Sequence, residues 1–388
     1  HPKSVDLSLV RIKRLLKDLN NPEKKITNVV QVIGTNGKHS CCSTLREIFE
    51  TAGYTVNMNI SPSIKKFNER YYLTGKHISD DQLHDLLIEV EKINHDQSIT
   101  FHEFICACFF LVASRNKSDV NIIESGLFFR LDASNVLEKN IASVIMPIGF
   151  DHKDFLKEGT IDEIVYEKCA HLLGGSKIVI SEQKNDVLEK IKKNIVNNSS
   201  EKSIFGENYN FKKNTKGFFY KDEFGEMNLP LPNLLGDFQI SNVSTAIAAA
   251  RTLDQFNITE THIKKAITKI RSEGRLQNIT KGKLRKYISK NNQILIDGAH
   301  NPLAASAIIK YLETFDKERK IIMVLGMMAN KEHKEFIQIF KNRIHSLIAL
   351  DIPNQINFIE KEKLSKIAQS CGIPSKTENS IELALKSI

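Results

Sequence analysis

Nowhere do about 18 apolar residues follow one another in these 388, so the sequence offers no membrane-spanning helix. Paired C-x-x-C spacing is missing among the six cysteines, Cys41, Cys42, Cys106, Cys108, Cys169 and Cys371. A zinc site and a disulfide framework therefore drop out, and reduced, buried thiols in a cytoplasmic protein are expected. No charged-then-apolar leader points to secretion. Arginine-rich helices and basic strands interleaved with aromatics are also lacking, although the net charge is +9. Positive charge spread in this way suits small anionic substrates better than nucleic acid. Internal repeats and low-complexity segments are not found. What remains is a chain long enough for two domains with their own cores.

The most informative stretch is Gly34-Thr35-Asn36-Gly37-Lys38-His39-Ser40. An apolar run, Val29 to Ile33, precedes it, and a helical pattern carrying Leu45, Ile48 and Phe49 follows. Strand, glycine-bearing turn with a lysine, then helix is the layout of a phosphate cradle. Turn amides and the first-turn amides of the helix would face an anion, and Lys38 adds charge. The strict Walker spacing is not met, because Gly34 and Gly37 are close and Ser40 stands one place late. His39 either faces solvent or narrows the cradle.

Alternating strand and helix patterns predict an α/β protein with a parallel sheet covered on both faces. Helices are expected over 7–19, 100–112, 161–173 and 236–253, and buried strands over 120–123 and 143–148. Ser203 to Asn228 reads as antiparallel hairpins. A polar, basic stretch between Ser272 and Asn292 reads as a boundary, after which strands over 294–296, 321–325 and 347–350 alternate with helices. The expected division is an ATP-binding domain over 1–280 and a smaller Rossmann-like domain over 281–388.

Ligands of open α/β sheets bind beyond the carboxyl ends of the strands. Predicted strands end at Gly34, Ser61, Glu124 and Asp151-His152, so Lys38, Ser61, Glu124 and His152 are expected to meet at one edge. A hydroxyl and a carboxylate beside a phosphate cradle suit Mg²⁺. Lys168 stands out because it falls on the apolar face of its helix, four residues after Ile164 and seven after Ile161. One reading is a snorkelling side chain. The other is a lysine aimed into the site, whose neutral amine reacts with CO₂ to give a carbamate, an oxygen ligand for a second ion. Asp297-Gly298-Ala299-His300-Asn301-Pro302 ends a later strand. There an aspartate could hold a ribose hydroxyl and His300 a phosphate, while Arg275 could clamp phosphate bidentately.

Taken together these stretches resemble folylpolyglutamate synthase/dihydrofolate synthase, of the Mur ligase superfamily. The resemblance runs through Gly34–Ser40, Ser61-Pro62, Phe67–Arg70, Glu124-x-Gly126-Leu127, Arg130–Asn135, Asp151-His152, Glu167-Lys168, Gln239-x-x-Asn242, Gly274-Arg275 and Asp297–Pro302. It implies a P-loop-containing Mur-ligase-type ATPase domain followed by a smaller Rossmann-like α/β domain. It implies an ATP-dependent ligase that adds L-glutamate to dihydropteroate or a reduced folate through an acyl phosphate. By the same resemblance Lys38 binds the ATP phosphates with the turn amides, and Ser61 and Glu124 hold the first Mg²⁺. His152 and a carbamylated Lys168 serve a second ion, and Asn242, Arg275, Asp297 and His300 contact the nucleotide. A monomer without nucleic-acid or membrane partners is expected.

The chain departs from the family pattern at His39, Ser63, Phe128-Phe129, Phe238 and Asn330. Phe128 and Phe129 replace a Gly-Gly pair, and a phenylalanine there is expected to conflict with a conformation that glycine takes easily. The second reading is accordingly a non-catalytic or impaired nucleotide-binding paralogue of the same fold.

Overall fold

The apolar run Val29–Ile33 forms strand β1, buried at all five positions. A run without alternation suits a central parallel strand covered on both faces. In the computed structural model, which describes residues 6–388, β1 lies inside an eight-stranded sheet. The first five positions of the expected ATP-binding domain lie outside the described residues. The other strands are β2 (Val56–Asn59), β3 (Tyr71–Leu73), β4 (Lys76–His77), β5 (Val120–Glu124), β6 (Ala142–Ile145), β7 (Lys177–Ile180) and β8 (Glu201–Ile204). Their order is β4-β3-β2-β5-β1-β6-β7-β8. Neighbours from β2 to β8 pair in parallel, and β3 and β4 add an antiparallel edge.

Helices α1 (Val10–Asp18), α2 (Lys38–Thr51), α3 (Asp80–Asn94), α4 (Phe101–Arg115), α5 (Ile161–Cys169), α6 (Asn185–Asn194), α7 (Phe238–Arg251) and α8 (Glu260–Ile267) accompany this sheet. Ser79 starts α3 and Thr100 starts α4, each through a reciprocal capping box. Helix α4 is apolar on nearly all sides, and Ile105 to Leu111 are all buried, as expected of a helix inside a core. Burying Phe109 and Phe110 there contributes about 1.5–3 kcal/mol each.

Two units divide the chain. The first holds the residues up to Ile148, with Ile161–Asn233 and Gln239–Ser272. The second holds Gly149–Thr160, Leu234–Phe238 and Glu273–Ile388. Its own sheet is parallel, in the order β14 (Ile322–Leu325), β15 (Ser346–Ala349), β16 (Ser375–Thr377). Helices α9 (Pro302–Leu312), α10 (His333–Gln338), α11 (Lys361–Ser370) and α12 (Ile381–Lys386) belong to this unit. Among the described residues no helix is long and apolar enough to cross a membrane. All six cysteines are buried and unpaired.

Several boundaries differ from the sequence reading. Helix α5 ends at Cys169, not near Leu173, although Leu172 stays buried beyond it. Ser203 lies in β8, the last parallel strand, so the antiparallel part is only the three-stranded sheet of β9 (Asn210–Lys213), β10 (Gly217–Asp222) and β11 (Gly225–Pro230). The stretch read as a boundary contains β12 (Gln277–Asn278), paired antiparallel with β13 (Leu295–Ile296). The strand before Asp297 therefore pairs with the connecting stretch, not with β14 to β16. Such two-residue pairings leave no periodicity to read.

Candidate functional site

Gly34 and Gly37 are glycines for steric reasons. Gly34 has φ +145, and a Cβ on it would lie 2.7 Å from Met146 Cβ. Gly37 precedes α2 at φ +81, where a Cβ would lie 2.5 Å from Asn242 Oδ1. Asn242, on α7, is thus against the loop, and its Nδ2 donates to Gln239 Oε1 at 3.0 Å. Gln239 Nε2 is buried without a hydrogen-bond acceptor.

The loop amides correct one expectation. Thr35 N and Asn36 N donate to Pro147 O at 2.9 and 3.2 Å, so these two tie the loop to the segment after β6. Helix α2 begins immediately after this anchored loop, at Lys38. Ser40 turns its hydroxyl to Ser272 Oγ at 3.4 Å. His39 is only 8% exposed, which removes the solvent-facing reading of that residue.

Two lysines converge on one atom. Lys38 Nζ donates to Gly34 O at 3.0 Å and to Thr35 O at 3.2 Å. Lys168 Nζ donates to the same Gly34 O at 3.0 Å and to Leu127 O at 3.2 Å. Lys168 is 3% exposed, so it does not snorkel to solvent. Its helix is fixed from the side. Phe129 N and Arg130 N both donate to Glu167 O, and the Arg130 guanidinium grips the Glu167 carboxylate at 2.8–3.0 Å. Phe128 and Phe129 are buried without positive φ, so neither occupies a conformation reserved for glycine. The Phe128 ring faces Lys168, with Nζ 5.5 Å from its centroid.

Ser61 and Glu124 also meet. Ser61 N donates to Glu124 Oε2 at 2.9 Å, and Glu124, ending β5, is 4% exposed. Beside it the buried Ser125 Oγ has no hydrogen-bond partner. A carboxylate, a serine and an unsatisfied hydroxyl at a strand end form an oxygen-rich donor set of the kind Mg²⁺ takes.

A neighbouring cluster escaped the sequence reading. Asp132 Oδ2 lies 3.1 Å from His102 Nε2 and accepts from Gly126 N at 3.0 Å, while Oδ1 accepts from Ser134 N at 3.0 Å. Burial alone would raise this carboxyl, but the His102 charge and these hydrogen bonds hold it below the usual carboxylate range. A Cβ on Gly126 would come within 2.6 Å of both Asp132 and His102. The Arg70 guanidinium lies over the rings of Phe67 and Phe101, at 5.1 and 5.9 Å, and Phe101 is 64% exposed. Burial lowers the Arg70 pKa. Asp132 lies in a matched run, Arg130 to Asn135, but nothing local in the sequence pairs it with His102.

The remaining candidates belong to the second unit. Asp151 and His152, expected at the edge with Ser61 and Glu124, fall in the Gly149–Thr160 segment of that unit. Asp151 Oδ1 accepts from Lys331 Nζ at 2.7 Å, and its Oδ2 accepts from Asn301 Nδ2 at 3.0 Å. His300 Nε2 and His152 Nε2 lie 3.3 and 3.6 Å from Oδ2. Burial would raise the Asp151 carboxyl, but His300, His152 and Lys331 together hold it far below the usual range. Asp151, His152 and His300 are spaced so that one atom of each could share a metal ion. Asp297 spends both oxygens locally, on Leu276 N at 2.7 Å and Ala299 N at 2.8 Å, and burial pushes its carboxyl up. His300 Nδ1 is 2.8 Å from Gly298 O. Arg275 Nη1 donates to Gly274 O at 3.0 Å and lies where a Cβ on Gly298 would clash.

The chain matches known protein families along most of its length. The Mur ligase middle domain matches residues 32–250, and the Mur ligase glutamate ligase domain matches residues 274–387. The dihydrofolate synthase/folylpolyglutamate synthase of Escherichia coli K12 is 28% identical over 337 residues, covering 86% of this chain and 74% of its own. That of Buchnera aphidicola subsp. Acyrthosiphon pisum is 30% identical over 346 residues, covering 87% and 78%. The solved E. coli FolC in complex with DHPP and ADP superposes with a TM-score of 0.88 at 25% identity, covering all of this chain and 88% of that one.

Gly37→Ala places a side chain at positive φ against Asn242 and is expected to cost about 1–3 kcal/mol. A parental urea midpoint would show that the loop relaxes around the new Cβ. The Asp151 pair gives a pH-dependent expectation. A depressed carboxyl contributes stability above its unfolded pKa of about 3.9, and loses it as pH falls through the folded value. Lys331→Met strips the ammonium from this buried carboxylate and is expected to cost about 3 kcal/mol at about pH 7. The gap to the parent is expected to narrow below about pH 4. Denaturant unfolding at the two pH values checks this, and a pH-independent gap would mean that Lys331 is not what depresses Asp151.

Proposed function

Because this chain belongs to the Mur ligase family, we propose that it is an ATP-dependent ligase joining L-glutamate to dihydropteroate, to a reduced folate, or to both. The observation that carries the reading is the convergence of Lys38 and Lys168 on Gly34 O, beside a loop packed against Asn242. The proposed sequence limits are 1–280 for the ATP-binding domain and 281–388 for the ligase domain.

A carboxylate is a poor acyl donor because oxide is a poor leaving group. Transfer of the γ-phosphoryl of ATP to it gives an acyl phosphate, whose leaving group is phosphate. The glutamate amine attacks, a tetrahedral intermediate collapses, and amide, ADP and phosphate are released. Lys38 exchanges its carbonyl partners for the phosphates and offsets the charge that builds on them. Gly34 and Gly37 keep side chains off the approach, and the α2 N-terminus at Lys38, His39 and Ser40 faces the anion. Thr35 and Asn36 act by anchoring the loop through Pro147. Asn242, Arg275, Asp297 and His300 are assigned to the nucleotide.

Ser61 and Glu124 are assigned to a first Mg²⁺, and His152 and Lys168 to a second, Lys168 as its carbamate. Mg²⁺ bound at these residues supplies neutralising charge for the phosphates. The oxygen-rich surroundings of Glu124 support the first assignment. Burial of Lys168 supports the second, since desolvation favours the neutral amine that carbamylation needs. The unpaired thiols support a reducing, cytoplasmic setting. We read the enzyme as a monomer acting on small molecules, with no nucleic-acid or membrane partner. The non-catalytic reading rests on His39, Phe128 and Phe129, and the two phenylalanines take no positive φ.

Phosphate release with dihydropteroate or tetrahydrofolate, glutamate, ATP and Mg²⁺ tests the reading and ranks the acceptors. No release with either acceptor would sink it. Lys38→Ala is expected to abolish release while circular dichroism stays parental, and near-normal turnover would remove the cradle assignment. Lys168→Ala is expected to lose activity and to regain part of it with added short carboxylic acids. Full activity without any such acid would remove the carbamate role.

A further inference from the structure

Helix α7 is buried at every position from Gln239 to Ala250, and two of its amide side chains stand together. Gln239 and Asn242 are three residues apart, so they share one face of the helix. Asn242 lies against the phosphate loop, since a Cβ on Gly37 would come within 2.5 Å of its Oδ1. Gln239 Oε1 accepts from Asn242 Nδ2 at 3.0 Å. An amide side chain has a donor end and an acceptor end. The hydrogen bond to Gln239 therefore decides which end Asn242 turns to Gly37.

The other end of Gln239 contributes nothing to the fold. The residue is 0% exposed, and among the described residues its Nε2 has no acceptor. A buried donor without an acceptor is destabilising, whereas an apolar side chain of similar size carries no such cost. The same helix buries Ile240, Val243 and Ala246, so apolar groups pack well on it. The exception falls on the residue whose oxygen holds Asn242, as expected where a site departs from the rules of packing.

We infer that Gln239 is a positioning residue for nucleotide binding, which holds the Asn242 amide in one orientation beside Gly37 and acts on the nucleotide through Asn242. This rests on the assignment of Asn242 to the nucleotide in the preceding subsection. The last torsion of an asparagine is broad and roughly two-fold. Without its partner, Asn242 can turn so that donor and acceptor change places. The nucleotide then meets the wrong end of the amide for part of the time, and affinity falls while the loop keeps its shape.

A double-mutant cycle tests this. The full chain, Gln239→Met, Asn242→Ala and the double variant are titrated with ADP and Mg²⁺ by calorimetry. Methionine keeps the length of the side chain and removes both polar ends. Gln239→Met is expected to weaken ADP binding about tenfold in the parent, and by less than about twofold where Asn242 is already alanine. A merely structural glutamine would weaken binding alike in both backgrounds, and that result overturns the inference. Parental affinity in Gln239→Met overturns it too. Gln239→Leu and Asn242→Ser replace any variant that fails to fold by circular dichroism. If both substitutions at 239 unfold the chain, the glutamine is structural and the positioning role is removed. Parental affinity in the Asn242 variant removes the Asn242 assignment and this inference with it, and leaves the ligase reading standing. Absence of ADP binding from the parent overturns the nucleotide reading itself.

Discussion

The carbonyl oxygen of Gly34 is the atom on which the first unit's site is built. Gly34 follows β1 at a φ that glycine tolerates, and Met146 leaves no room for a side chain there. Lys38 reaches it from the start of α2, and Lys168 reaches it from α5. A carbonyl has two lone pairs, so one acceptor can serve two ammonium groups. The arrangement brings two lysine side chains together just beyond the end of β1. It also links loop and helix geometry, since a shift in either element changes a hydrogen bond of the other.

The second unit has a comparable centre in Asp151. Its carboxylate takes the Lys331 ammonium and the Asn301 amide, with His300 and His152 alongside. Buried carboxylates persist when charge and hydrogen bonds replace lost water. His300, whose Nδ1 is fixed on Gly298 O, thereby has its orientation set from both ring nitrogens. Asn330 precedes Lys331, whose ammonium donates to Asp151 Oδ1.

Much of this was legible because it broke local rules. Lys168 could be singled out as a charge on an apolar helical face, and it proved buried. Glu124 was visible as a carboxylate ending a buried strand. Contacts that depend on distant parts of the chain were not visible. His102 and Asp132 are 30 residues apart, and Asp151 and Lys331 are 180 apart, with no spacing rule to join them. The turn amides of Thr35 and Asn36 looked available for an anion because their acceptor, Pro147, follows a different strand. Strand β16, Ser-Lys-Thr, is short and polar, so neither alternation nor apolar content marks it. Helix α8 has a capping box closed by His262 in place of the usual glutamate or glutamine, which hides its start.

Thr35 and Asn36 also give the loop a mechanical character. Their shared anchor, Pro147, is two residues before Gly149, where the chain passes from the first unit into the segment that belongs to the second. Any shift of Pro147 therefore carries both amides with it, so the place of the glycine turn is set by the end of a neighbouring strand, β6, as much as by its own glycines.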